Sequence, residues 1–281
     1  MTGRIFKAIA GDYWVETEKG SIVCRPRGVF RHEGIKPAVG DMVEIKDQTI
    51  TKVLARKNLL LRPHVANVDK ALLVFSLSEP KPDLLTLDTL IVNVLYEGIE
   101  PVLVFNKSDL VQSEDIKKMA GLYSSFSKYF VSMYNKDSLE DFYQELSSGV
   151  YVLAGPSGAG KSSMINALSG KDLFVVGELS AKIKRGKHTT RHNELIYLEK
   201  GIFLADTPGF QNLTLTSMDV TELPEYYPEF QKVNSCRYDN CLHDKEPACG
   251  VKKAVLEKVI VESRYKNYLL LLDELRSRKD Y

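Results

Sequence analysis

VLAGPSGAGKSSMINAL, residues 152–168, is the stretch on which the fold turns. It reads as an apolar strand, a glycine-rich turn and the opening of a helix. Gly155, Pro156, Ser157, Gly158, Ala159, Gly160, Lys161 and Ser162 satisfy the pattern G-x-x-x-x-G-K-[ST], and Ser163 follows them. Glycines let backbone N–H groups turn inward around phosphates, and the positive end of the following helix adds to the attraction. In such a loop Lys161 reaches the β- and γ-phosphates and the Ser162 hydroxyl ligates Mg2+. An idle glycine turn would need neither the strand before it nor the helix after it.

Working outward, the other requirements of a nucleotide lie on both sides. Downstream, IFLADTPGF (202–210) ends an apolar run in Asp206, where a carboxylate holding Mg2+ belongs. Gly209 can bring a backbone N–H to the γ-phosphate. Asp-Thr-Pro-Gly alone would also suit an ordinary turn, so its place after a strand carries the reading. Between the two motifs lies the basic RGKHTTRH (185–192). Thr189 and Thr190 are both candidates for the residue that completes Mg2+ coordination and senses the γ-phosphate. The same loop could touch RNA phosphates, or be a plain basic surface loop.

Base selection lies upstream. Asn106-Lys107-Ser108-Asp109 follows the apolar PVLVF (101–105) and fits N-K-x-D. A carboxylate at Asp109 accepts from both N1–H and the 2-amino group of guanine, whereas adenine would leave it unpaired. The box therefore implies GTP over ATP. It precedes Gly155 by 49 residues, the reverse of the usual order in GTPases. Either NKSD is a chance loop or the domain is circularly permuted, and permutation is chemically free because the site needs only loops converging at the C-terminal ends of parallel strands. In permuted order Val131-Ser132-Met133 becomes a further base-contacting loop, with Ser132 its candidate residue. One expected group is absent. Where Ras-like enzymes carry a water-orienting glutamine after Asp-x-x-Gly, this chain has Phe210, with Gln211 one residue late. Intrinsic hydrolysis is expected to be slow, and His188 is the candidate for positioning water.

The 281 residues carry a net charge of +1, which argues neither for nor against a polyanionic partner. The first 64 differ, with 12 Lys/Arg against 7 Asp/Glu, the kind of surplus nucleic-acid binding leaves. Short β-like runs there, YWVET (13–17), SIVCRPR (21–27) and DMVEIK (41–46), suggest a small OB-type barrel. Residues 65–222 alternate strand and helix, implying a parallel sheet. Its strand candidates are ALLVFSL (71–77), PVLVF, YVLA (151–154) and IFLA (202–205). A helix carries Leu87, Leu90, Ile91, Val94 and Leu95 and ends at Gly98, and Ser138-Leu-Glu-Asp141 looks like a capping box opening another with Phe142, Tyr143 and Leu146. Residues 223–281 hold Cys236, Cys241, His243 and Cys249 in C-x4-C-x-H-x5-C spacing, a closed ligand set for one structural Zn2+. A long helical stretch follows, with Val255, Val259, Ile260, Tyr268, Leu271 and Leu272 as its apolar positions; Cys24 stands alone in a strand. The chain opens without a signal-peptide apolar region, and ALLVFSL and YLLLLDEL (268–275) are too short to cross a bilayer. The expectation is a cytoplasmic monomer without membrane contact.

NKSD before GPSGAGKSS, then RGKHTTRH, DTPGF and the zinc spacing, resembles the RsgA (YjeQ) family of circularly permuted GTPases over essentially the whole chain. The resemblance implies an α/β, circularly permuted P-loop GTPase domain between an N-terminal OB-fold barrel and a C-terminal, mainly helical zinc-binding domain. It implies an assembly factor of the bacterial small ribosomal subunit, with GTP hydrolysis stimulated by the subunit and coupled to release, and with the barrel and zinc domain touching rRNA. Two other readings stand beside it: a GTP-dependent RNA-binding scaffold whose hydrolysis is incidental, and a permuted GTPase of large-subunit assembly. The second of these lacks the OB and zinc flanks in its known relatives.

Overall fold

The computed structural model describes residues 1–28, 30, 34–61, 64–173, 194–206, 215–216, 218–233 and 235–278, with Leu61 and Asp206 as backbone only. Strands β1 (Thr2–Ile9), β2 (Asp12–Thr17), β3 (Gly20–Pro26), β4 (Met42–Lys46) and β5 (Thr49–Val53) close into a barrel in the order β1-β2-β3-β5-β4. Alternation along the strands sends Ile5, Val15, Cys24, Val43, Ile45 and Ile50 into its core. Cys24, expected as a partly buried strand residue, is only 1% exposed. The apolar runs announced β2, β3 and β4. In β1 and β5 the interspersed Arg4, Lys7 and Lys52 face outward and interrupt the run, hiding the same period of two.

A short hairpin, β6 (Leu59–Leu61) and β7 (His64–Ala66), leads out of the barrel region. Gly40 is pressed against it: its φ is +93°, and a Cβ there would lie 2.0 Å from the Ala66 carbonyl oxygen. Beyond the hairpin comes a six-stranded sheet of β8 (Lys70–Ser76), β9 (Glu100–Asn106), β10 (Ser127–Phe130), β11 (Gly149–Ala154), β12 (Ile196–Tyr197) and β13 (Ile202–Asp206). Its order is β10-β9-β8-β11-β13-β12, parallel throughout except for β12 against β13. Strands β8, β9 and β11 are buried along almost their whole length, as a parallel sheet covered on both faces requires. From β8 the chain adds β9 and β10 on one side, then returns to lay β11 and β13 on the other. The order reverses between β8 and β11, and ligands of open α/β sheets bind at the C-terminal side of such a point.

Helix α1 (Leu84–Tyr96) is capped by Asp83, buries Leu87, Leu90, Ile91 and Val94, and gives way to Gly98 at φ +67°. Then come α2 (Ser113–Leu122), α3 (Lys136–Glu145) and α4 (Lys161–Ser169). The start of α3 corrects the expected capping box. Asn135 is the cap, its Oδ1 accepting from the Asp137 and Ser138 N–H groups, and Ser138 lies inside the first turn. Asparagine caps as well as serine does, which freed the Ser138 hydroxyl to accept from the Ser132 N–H at 3.2 Å.

The C-terminal region contains α5 (Pro228–Gln231), α6 (Gly250–Leu256) and α7 (Glu262–Arg278). The expected long helical stretch is thus two helices, broken where Lys258 takes φ +59°. That turn leaves Val259 73% exposed, outside the core, whereas Ile260, Tyr268, Leu271 and Leu272 are buried as expected. These residues pack in one cluster with Val92 of α1, so α1 serves two cores, one under the sheet and one under the C-terminal region. Among the described residues no helix is long and apolar enough to cross a membrane.

Candidate nucleotide site and metal cluster

The 155–160 loop connects β11 to α4 and is shaped by three glycines. Gly155 has φ +138°, and a Cβ on it would sit 2.1 Å from the Val74 carbonyl oxygen of β8. Gly160 has φ +98°, and a Cβ on it would sit 2.1 Å from Asn106 Nδ2. Close backbone approach therefore demands glycine at both positions. The Lys161 ammonium folds back over the loop and donates to the carbonyls of Gly155 at 2.7 Å and Pro156 at 2.8 Å.

Asn106 shows why the reversed motif order still makes one site. Its Nδ2 donates to the Ala159 carbonyl at 3.0 Å across 53 residues of sequence, while its Oδ1 accepts from the Lys107 N–H at 2.7 Å. The side chain is 2% exposed, so both bonds form away from competing water. Lys107, at φ +62°, donates its ammonium to the Glu79 carbonyl. That loop brings Pro80 over Gly158, whose Cβ, if it had one, would lie 3.4 Å from the ring. Asp109 stands exposed in the short turn Ser108–Leu110. The Ser108 N–H donates to the Val131 carbonyl at 3.1 Å, which joins the NKSD turn to the 131–133 loop. Ser132 is 1% exposed, and its hydroxyl accepts from the Tyr134 N–H at 3.1 Å.

Asp206 closes β13, with its backbone in register with Leu153 of β11 one strand from the loop. Its side chain lies outside the described residues, as do His188, Thr189, Thr190, Gly209 and Phe210. The described ends of those two segments are held by the flanking regions. The Leu195 N–H donates to the Phe6 carbonyl of β1 at 2.6 Å, and Lys7 pairs with Glu194 at 3.0 Å. On the other side the Thr216 N–H donates to Asn93 Oδ1 at 2.8 Å, and Leu215 is buried in the C-terminal core.

The Cys236, Cys241, His243 and Cys249 donor atoms all lie within 4.8 Å of one another. Tetrahedral Zn2+ with bonds of about 2.3 Å to sulfur and about 2.0 Å to nitrogen separates its sulfurs by about 3.8 Å and sulfur from nitrogen by about 3.5 Å. The observed values are 4.0 Å between Cys236 and Cys249 Sγ, and 3.6 and 3.4 Å from those sulfurs to His243 Nδ1. The residues fit the ion. Burial pushes Cys241 up to about 12 and also raises Cys249. For Cys236 burial is outweighed by the Val251 and Gly250 N–H groups at the start of α6 together with hydrogen bonds from Cys249 and Cys241, and its thiol falls below the ordinary value. Burial lowers His243, favouring the neutral imidazole a metal needs. The loop between the ligands is fastened by Glu246, whose two carboxylate oxygens accept from the Leu242 and Asp244 N–H groups, both at 2.9 Å.

Sequence reasoning missed a buried ionic junction of Asp88, Glu229 and Arg264 between α1 and the C-terminal region. Its available signal was an aspartate in the middle of the apolar LLTLDTLIVNVLY.

A parallel sheet with its phosphate loop at the switch point, a carboxylate closing the adjacent strand and an NKSD turn entering from the preceding half of the chain defines a circularly permuted P-loop GTPase. Comparison with known proteins gives the family. Residues 53–216 match the family described as RsgA GTPase, and residues 2–53 match the RsgA N-terminal domain. The chain is 44% identical to the small ribosomal subunit biogenesis GTPase RsgA of Carboxydothermus hydrogenoformans, over 99% of this chain and 98% of the other. It is 40% identical to the protein of that name from Alkaliphilus metalliredigens, over 99% of both. The crystal structure of YjeQ from Thermotoga maritima superposes with a TM-score of 0.84 at 34% identity, covering 98% of both chains. That of YloQ, a circularly permuted GTPase, gives 0.83 at 33% identity over 99% of this chain and 95% of the other. The chain belongs to the RsgA GTPase family.

Proposed function

We propose that this chain hydrolyses GTP to GDP and phosphate as a maturation factor of the bacterial small ribosomal subunit, which stimulates turnover and is left afterwards. The observation that carries this reading is the hydrogen bond from Asn106 to Ala159, which welds the base-reading turn to the phosphate loop despite their reversed order. The backbone of residues 155–163 receives the phosphates, Lys161 bridges β and γ, and Asn106, Lys107, Asp109 and Ser132 frame the guanine. Ser162 and Asp206 would hold Mg2+, which would supply positive charge to offset that developing as the γ-phosphate leaves. Gly209 and one of Thr189 and Thr190 sense the γ-phosphate, and His188 positions the attacking water in place of the missing glutamine.

Three domains divide the work: residues 1–64 an OB-fold that meets rRNA through its positive surplus, 65–222 the permuted GTPase, and 223–281 the zinc-binding domain, a second rRNA contact stapled by Cys236, Cys241, His243 and Cys249. The protein works as a cytoplasmic monomer.

The test is GTP turnover with purified small subunits, large subunits or neither. Small subunits alone should raise the rate; equal stimulation by large subunits, or none by either, overturns the reading. Phe210 in the glutamine position favours one second reading, a GTP-dependent RNA-binding scaffold with incidental hydrolysis. Single-turnover rates with and without particles separate the two, because a scaffold's rate does not respond to the particle.

A further inference from the structure

Arg264 of α7 is buried with its side chain 3% exposed, and it faces carboxylates from two domains at once. Its Nε donates to Glu229 Oε1 at 2.8 Å, and its Nη1 donates to Oδ1 of Asp88, a fully buried residue of α1. Asp88 also accepts from the Tyr123 hydroxyl at 2.9 Å and from Asn267 Nδ2 at 2.7 Å. The guanidinium carbon lies 4.7, 5.2 and 5.6 Å from the ring centroids of Tyr227, Tyr123 and Phe126. Two of those rings belong to the nucleotide-binding domain and one to the metal-binding region.

Stability alone does not explain this junction, since two carboxylates and a guanidinium are taken out of water to make it. The described buried side-chain atoms that lack a partner are Tyr227 OH, Glu229 Oε2, Ser263 Oγ and Arg264 Nη2, and they belong to Arg264, its neighbour in sequence, its salt-bridge partner and a ring it stacks on. Glu229 and Arg264 also border a cavity of about 30 Å3. A buried ionic network often stabilises no more than an apolar seam of the same shape, and its best-attested use is to fix one register among several. Arg suits that task because its planar fork meets two carboxylates in one geometry, which a lysine cannot do.

Helix α1 is where register would matter. It packs into the C-terminal core through Val92 and accepts the Thr216 N–H at Asn93. It is capped by Asp83, directly after the loop whose Glu79 carbonyl takes the Lys107 ammonium and whose Pro80 faces Gly158.

We propose that Arg264 is a positioning residue: bridging Glu229 to Asp88, it locks the metal-binding domain in one orientation on α1, so that a particle held by that domain is presented to the nucleotide site in a single geometry. This deepens the reading above and rests on it for the particle.

The experiment compares wild type with an apolar variant, Asp88→Leu/Glu229→Met/Arg264→Met/Tyr123→Phe, in the full-length, zinc-loaded chain. Cysteine-independent spin labels at the exposed Lys117 and Lys253 report the distance between the two domains. The variant should melt at or above the wild-type temperature, keep basal turnover, show a broadened or shifted distance distribution, and lose about tenfold of the stimulation by small subunits. Superimposable distance distributions overturn the lock, and a broadened distribution with full stimulation overturns the positioning role. If wild type itself is not stimulated, the ribosomal reading fails while the distances still decide the lock. If the apolar variant does not fold, Arg264→Lys carries the same readouts, with a smaller broadening and loss expected.

Discussion

The nucleotide site and the metal cluster are built in opposite ways. The first gathers loops from the ends of β8, β9, β10, β11 and β13, far apart in sequence, and relies on a sheet whose strands are held by their own pairing. The second takes all its donors from one run of 14 residues that contains no regular element before α6. A preformed sheet tolerates the loss of one loop contact. A loop-rich segment with four donors that could hold one ion would depend on that ion, because in the unfolded state the donors are unconstrained. Local chemistry holds one region and sheet topology the other, which sets the scale of what each substitution does.

The largest effect follows from removing the staple. Structural zinc contributes on the order of 10 kcal/mol in small domains. Cys249→Ser, or chelation, should unfold the segment around residues 232–249 and expose Tyr265 and Tyr268, whose hydroxyls bond the carbonyls of His243 and Leu242. Metal content and near-UV circular dichroism read this directly. Guanine-nucleotide affinity should stay within a few-fold of wild type if the two sites are as independent as their construction implies, and a parallel loss would break the contrast. Next comes Gly160→Val. It forces a β-branched residue into φ +98° and drives a Cβ into the Asn106 amide, so strain and the lost bond together cost about 3 kcal/mol, a Kd about 100-fold weaker. Fluorescent GTP titration measures it, with zinc content unchanged. Asn106→Ala sharpens the same point. It removes the Ala159 bond and leaves the Lys107 N–H without its acceptor, for about 1–3 kcal/mol in nucleotide affinity, and an effect below the error of the titration would mean that the sheet alone joins the two motifs.

The contrast also explains what could be read in advance. Donor spacing survives in sequence when all ligands share one segment, so the metal cluster was legible from C-x4-C-x-H-x5-C alone. The nucleotide motifs were legible one by one, and their reversed order was recoverable because a strand precedes each. Their meeting through Asn106 and Ala159 was not, since nothing local to either residue encodes a contact across 53 positions. The Asp88–Arg264 junction stayed hidden for the same reason, each partner looking like an ordinary polar interruption of a helix. Where local rules competed, they misled. Ser138 and Asn135 both make good caps; in the fold Asn135 caps the helix while the Ser138 hydroxyl accepts from the Ser132 N–H. Val259 had the apolarity of a core residue, but the left-handed turn at Lys258 rotates it to solvent.

The smallest predicted effect tests whether the metal loop has any structure of its own. Glu246 fastens the loop from within its own run, without being a ligand candidate, through the Leu242 and Asp244 N–H groups. Burial raises its pKa, but those backbone bonds, with its own N–H, outweigh burial and bring the carboxyl below its ordinary value of 4.5. A depressed folded pKa means that the ionised form favours the folded loop. Its contribution is therefore complete above about 4.5 and fades as pH falls through the lowered folded value. Glu246→Gln keeps one acceptor and sets an N–H2 against the second backbone N–H, so at pH 7 it should cost about 1 kcal/mol, reduced by the partial exposure of the site. Zinc release against a competing chelator should then run a few-fold faster in the variant at pH 7. The gap should narrow as Glu246 protonates in wild type, in the acid range where the donor thiolates also let go. An identical release rate at pH 7 would mean that Glu246 adds nothing to what the ligands and the bonds from Tyr265 and Tyr268 already supply, which would make the contrast with the self-paired sheet sharper still.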